Sequence, residues 1–210
     1  MKKTIWLPIV LGVGMGLLAG IATVTGLSFI VSGSNTSNAI GIYSIFLLIS
    51  AALGGPLASA ITPALWLVIS AFYGPPAMKE VLSDPITFWT NIIALGIYLA
   101  LVSFVYRVIY ERVSTPWRFF YWAATVVVFY LLALPSSITP QFYLSGSTIS
   151  EILPAVRSGY LTYIPQVIFD IVITSLVFVA LPPRYRRPLW YEASKAPDQS
   201  AGIQSAKEDR

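Results

Sequence analysis

A chain of 210 residues that is 56% hydrophobic and only 10% charged departs from the roughly 45–50% apolar and about 25% charged content of soluble domains, which argues against a water-soluble fold and leaves room for about six membrane crossings. With neither Cys nor His, disulfides, thiol nucleophiles, imidazole bases and the usual zinc, haem and iron–sulfur ligands are excluded; no metal site, cofactor or catalytic constellation is visible, and a non-enzymatic role is expected. The net charge of +4 comes from basic residues segregated by membrane side rather than interleaved with aromatics on a soluble face, so it reports orientation and not nucleic-acid binding.

Met1-Lys2-Lys3 precedes an apolar stretch from Ile5 to about Ile30 that has no A-x-A cleavage signal, and an uncleaved first span with a cytoplasmic amino terminus follows. Gly12, Gly16 and Gly20 form a ridge of small residues along it, a surface for close helix packing inside the bundle or for a partner subunit. Ser32 to Asn38 is an uncharged polar loop on the outer side. From Ala39 to Tyr73 the chain is again apolar, broken by Gly54-Gly55-Pro56, with Pro63 beyond and further small-residue positions at Ala60 and Ala64. Two short helices joined by a tight turn are expected, either as two full spans or as a re-entrant pair, because neither half has many residues beyond the roughly 17 needed to cross.

The connection Gly74 to Pro85 is then external. A fourth helix from about Ile86 to Tyr106 ends in the basic connector Arg107 to Arg118, which belongs in the cytoplasm. A fifth span from Phe119 to about Leu134 stops at Pro135. In the following loop Thr148-Ile-Ser-Glu151 reads as a capping box, which predicts a short interfacial helix near 148–158. The sixth span, about Leu161 to Leu181, leads to Pro182-Pro-Arg-Tyr-Arg-Arg187, a topology anchor that can also meet anionic lipid headgroups.

Of the 13 Lys and Arg, only Lys79 and Arg157 fall outside in this topology. The positive-inside rule therefore places both termini in the cytoplasm. The expectation is an all-α integral membrane protein of the plasma membrane: one polytopic domain over 1–190, a bundle of about six transmembrane helices, and a disordered cytoplasmic tail over 191–210.

Asp170 is the charged residue set deepest in an apolar segment. Thr162, Gln166, Asp170 and Thr174 recur every four residues and share one helical face. Counted from Leu161, Asp170 lies on the order of 13 Å along the helix, in the outer half or near the midplane. The carboxylate has two uses open to it: contact with a ligand, proton or cation, or hydrogen bonding to a neighbouring helix. The candidate ligand site is Asp170, Gln166 and Thr174 with Asn91 on the fourth helix, walled by Trp89 and Tyr98. For Asn91 alone, interhelical bonding is the ordinary role.

In size, helix number and placement of the termini, and in Gly55-Pro56 followed by small residues, the chain resembles the substrate-binding S components of energy-coupling-factor (ECF) vitamin transporters. Gly54-Gly55-Pro56, and Asp84-Pro85 leading to Asn91-Ile-Ile-Ala-Leu-Gly96, look like LytS-type membrane sensor regions. The acidic residue that follows the glycine-rich helix of many S components is replaced here by Trp66 and Leu67. The first resemblance implies a transport-related subunit that binds a small molecule in an outward-facing site, with the lipid bilayer and a membrane partner subunit around it. The second implies a sensor or assembly module acting through a partner protein.

Overall fold

The computed structural model describes residues 3–31, 38–144, 146, 148–182 and 185–188. They form helices with one short β-hairpin, in the order α1 (Lys3–Val24), β1 (Ser28–Val31), β2 (Asn38–Gly41), α2 (Tyr43–Tyr73), α3 (Pro76–Ser83), α4 (Pro85–Arg112), α5 (Thr115–Leu144) and α6 (Ile149–Ala180). Five of the helices are long and apolar enough to cross a membrane. Side chains such as Val10, Ile21, Ile93, Leu101, Val128 and Ile168 are exposed along their flanks; such broad apolar surface belongs in lipid rather than water. The chain is a multi-pass membrane protein.

The first span is shorter than the apolar run suggests. α1 ends at Val24, Gly26 turns with a positive φ of 63°, and β1 pairs antiparallel with β2 from Ser28 opposite Gly41 to Val31 opposite Asn38. The apolar residues after Leu27 thus enter a strand instead of prolonging the helix. The polar loop expected at Ser32 to Asn38 lies, except for Asn38, outside the described residues.

α2 is a doubled-back element. Gly55 adopts φ 76° and ψ −168°, a region open in practice only to glycine, and Pro56 begins the returning helix at a position that needs no backbone N–H. The reversal is visible in side chains far apart in sequence: the Ser50 and Thr62 hydroxyls meet at 2.5 Å, and the rings of Tyr43 and Trp66 stack with centroids 4.6 Å apart. The first arm, from Tyr43 to Gly54, is about 18 Å long at 1.5 Å per residue and falls short of the roughly 30 Å hydrocarbon core. The two arms fold back on each other about Gly55, and the first is shorter than a full crossing.

α1 runs alongside the returning arm. A Cβ at Gly12 would lie 3.0 Å from the Ala58 Cα, one at Gly16 would lie 2.9 Å from the Leu65 Cβ, and one at Gly20 would lie 2.6 Å from the Ile69 Cδ1. The glycine ridge thus seats α2 within the chain. Ala60 borders Gly96 of α4, and Ala64 is half-buried. Leu48, Ala51, Ala52 and Leu67 of α2 join Leu99 and Val102 of α4 and Trp122 and Val126 of α5 in the main core.

The remaining helices are longer than expected. α4 starts on an Asp84 cap, whose carboxylate accepts the Thr87 N–H at 2.6 Å, and continues through Arg107 to Arg112, so little of the basic connector is loop. α5 passes through Pro135 instead of stopping there. The predicted interfacial helix and sixth span are one helix, Ile149–Ala180, with Pro154 and Pro165 inside it. Its first turn carries the expected capping box, in which Thr148 N–H donates to Glu151 Oε2 at 2.7 Å. Proline ends helices in water more readily than in a bundle, where neighbouring helices and local adjustment satisfy the freed carbonyls. The expected tail over 191–210 lies outside the described residues, as does Arg184 of the anchor.

Candidate functional site

Three of the four residues on the polar face of α6 point inward. Gln166, Asp170 and Thr174 are buried, whereas Thr162 is exposed and turns its hydroxyl back to Ser158 O at 3.0 Å. Asp170, wholly buried, sits on the order of 15 Å from the Ala180 end of the helix, near the middle of a bilayer-length segment. Its Oδ1 accepts from Ser44 Oγ at 2.8 Å and Gln166 Nε2 at 2.9 Å. Its Oδ2 accepts from the Tyr130 hydroxyl at 2.5 Å. A carboxylate has room for about four such donors, so these three use most of its capacity.

Gln166 binds a strand by its backbone. Its Oε1 accepts the Gly41 N–H at 2.7 Å while its Nε2 donates to the Gly41 carbonyl at 3.0 Å and to Ser44 Oγ at 2.9 Å. Thr174 lies a turn further on; its hydroxyl donates to the Asp170 carbonyl and accepts from Trp122 Nε1 at 2.8 Å. The cluster thus ties α6 to β2, to the start of α2 and to α5. It offers a ligand no free oxygen of Asp170.

The space for a ligand is next to this cluster. A cavity of ≈380 Å³ opens between α2, α4, α5 and α6, with Met78, Val81 and Leu82 of α3 over it. Its walls include the Tyr43 and Trp66 pair, Phe129, Tyr130 and Tyr163. Two polar groups border it without belonging to an aromatic ring: Ser44, which touches Asp170, and Asn91, which is buried and donates one N–H to the Thr87 carbonyl at 2.8 Å. No charged side chain lines it among the described residues.

The expected site is therefore partly divided. Asn91 lines the cavity, and Asp170 reaches it only through Ser44 and Tyr130; Gln166 and Thr174 serve the interhelical network behind the wall. Trp89 is 59% exposed on the outside of α4 and does not line the cavity. Residues two apart on a helix point about 200° apart, so Trp89 and Asn91 face opposite ways. Tyr98 instead bonds Ser136 of α5 at 2.6 Å. Sequence reasoning passed over Tyr43, Trp66, Tyr130 and Tyr163. A signal was present: Tyr130 and Trp66 stand well inside their apolar segments, away from the interfacial belt where such rings usually gather.

No family model matches the chain, and neither a curated protein nor a solved structure matches it.

Proposed function

We propose that this protein is a small-molecule-binding subunit of the plasma membrane, transport-related, with both termini cytoplasmic and its cavity opening toward the outside. The observation that carries the proposal is the ≈380 Å³ cavity with aromatic walls and the Asn91 amide at its side. That volume lies within the range of ligand sites, and an apolar pocket with a few convergent polar groups is the usual form of one. Because no charged residue lines it among those described, the ligand is uncharged where it meets the protein, with a flat apolar body for Tyr43, Trp66 and Phe129 and a hydrogen-bonding edge for Asn91. Asp170 acts at one remove, by fixing the hydroxyls of Tyr130 and Ser44.

The outward orientation rests on the basic residues Arg107, Arg112, Arg118, Arg186 and Arg187, which gather where α4 and α6 end and α5 begins, together with the positive-inside rule. A sensor acting through a partner is the alternative, and the glycine ridge of α1 lends it no surface because α2 covers it.

The test is to extract small molecules from the purified protein and compare wild type with Leu95→Trp, which fills the cavity, and with Asn91→Ala. A neutral compound enriched in the wild type and depleted in both variants is expected. Identical contents in all three, with the variants folded, would reject a ligand at this site.

A further inference from the structure

A second cavity, of ≈140 Å³, lies at the opposite end of the bundle, between the ends of α4 and α6 and the start of α5. Two arginines border it. Arg118 donates from Nε to the Val113 carbonyl and from Nη2 to the Tyr110 carbonyl, both at 2.9 Å, and its guanidinium lies 4.7 Å from the centre of the Tyr110 ring. Arg186 donates from Nε to the Leu181 carbonyl at 2.7 Å and from Nη2 to the Val179 carbonyl at 2.8 Å.

Each guanidinium has five N–H donors, so these bonds leave about three on each. All four acceptors are neutral carbonyls. Among the described residues the one ion pair is Arg107 with Glu111, and no carboxylate lines this cavity. Among the described residues, two half-buried positive charges therefore share one recess without a counter-charge, a costly arrangement in the absence of an anion. Ser175 Oγ, which also borders the recess, is enclosed and has no hydrogen-bond partner among the described residues.

The other wall is apolar and reaches the surface of the bundle: Phe119 is 47% and Val179 71% exposed. An anion that fits both walls carries hydrocarbon beside its charge. A planar guanidinium fork matches the two oxygens of a phosphate, and basic recesses between membrane helices hold lipid headgroups in the same way.

We propose that this recess binds the phosphodiester of an anionic phospholipid, gripped by Arg118 and Arg186, with an acyl chain lying over Phe119 and Val179. The site is separate from the aromatic cavity and rests only on the chain's residence in a membrane. It gives the lipid a fixed seat joining the ends of α4 and α6.

The test uses the full-length protein, delipidated in neutral detergent, with native mass spectrometry after addition of phosphatidylglycerol, phosphatidylcholine or inorganic phosphate. Phosphatidylglycerol adducts should exceed phosphatidylcholine adducts at least about ten-fold, and the excess should vanish in Arg118→Gln/Arg186→Gln, in line with loss of charge-assisted bonds. Ser175→Phe, which keeps both guanidiniums but fills the recess, should lose it as well, and Arg112→Gln, an exposed charge outside the recess, should keep it. Because both arginines also cap helix ends, melting of each variant is followed without lipid, and the wild-type comparison of the two lipids decides the matter if variants fail to fold. Equal adducts of the two lipids on the wild type, or an undiminished excess in Ser175→Phe, would overturn the proposal. Displacement of phosphatidylglycerol by millimolar inorganic phosphate would overturn the lipid assignment and leave a site for free phosphate.

Discussion

Asp170 accepts hydrogen bonds from Ser44, Gln166 and Tyr130 in a site closed to solvent, and a buried donor left without its acceptor costs more than a bond is worth when made. Asp170→Asn keeps one acceptor and turns an N–H₂ toward one of the three donors. It should lower stability in detergent by about 1–3 kcal/mol, and Asp170→Leu, which removes the acceptor of Tyr130 and one of the acceptors of Ser44 and Gln166, by more. Tyr130→Phe removes one donor, and because it acts on the same network the double variant Asp170→Asn/Tyr130→Phe should lose less than the sum of the single losses. Additive losses would mean that the tyrosine and the carboxylate are energetically independent. The inward face of Gln166, Asp170 and Thr174 was legible because a four-residue spacing is a local property of one helix. Their partners were not: Ser44 and Gly41 stand more than a hundred positions away, and nothing local in an apolar sequence says which helices become neighbours.

The doubled-back α2 depends on two glycine positions for different reasons. At Gly55 the backbone angles exclude a side chain, so Gly55→Ala should destabilise by about 1–3 kcal/mol. At Gly16 the obstacle is space: a side chain there meets Leu65 and the Thr62 carbonyl, and Gly16→Leu should cost about 3 kcal/mol or more. Gly14, whose added Cβ would touch nothing within 4 Å, is the matched control, and Gly14→Leu should melt like the wild type. Equal melting of Gly14→Leu and Gly16→Leu would show that α1 and α2 are not held together at this ridge. The break at Gly54-Gly55-Pro56 was legible from composition, because few sequences other than a turn need that tripeptide. The lengths of α5 and α6 were not, since proline was weighed by its behaviour in water.

At the scale of the whole molecule, basic residues mark one end of the bundle, and a reporter fused after Arg112 or at the carboxyl terminus should register cytoplasm while one inserted at Gly146 registers the exterior. The reverse pattern would turn the aromatic cavity to the other side. The general class was legible because it follows from bulk hydrophobicity; the expected orientation comes from charge counted along the chain, and the reporter fusions test it. The cavity was not, since it is bounded by five helices and belongs to none of them. One contact in that assembly bears on how the protein is made. The Gly41 N–H and carbonyl, at the end of a strand laid down early in synthesis, are both satisfied by the side-chain amide of Gln166, which the ribosome supplies some 125 residues later. Until the last helix inserts, the Gly41 N–H lacks this acceptor and the Gly41 carbonyl has only the nearby Ser44 hydroxyl, so the strand end gains its full set of bonds only when Gln166 arrives. Chains truncated before Gln166 should accordingly be degraded faster, and a protease site placed beside Gly41 should be cut in them and spared in the complete protein; equal protection in both would show that the strand settles without its late partner.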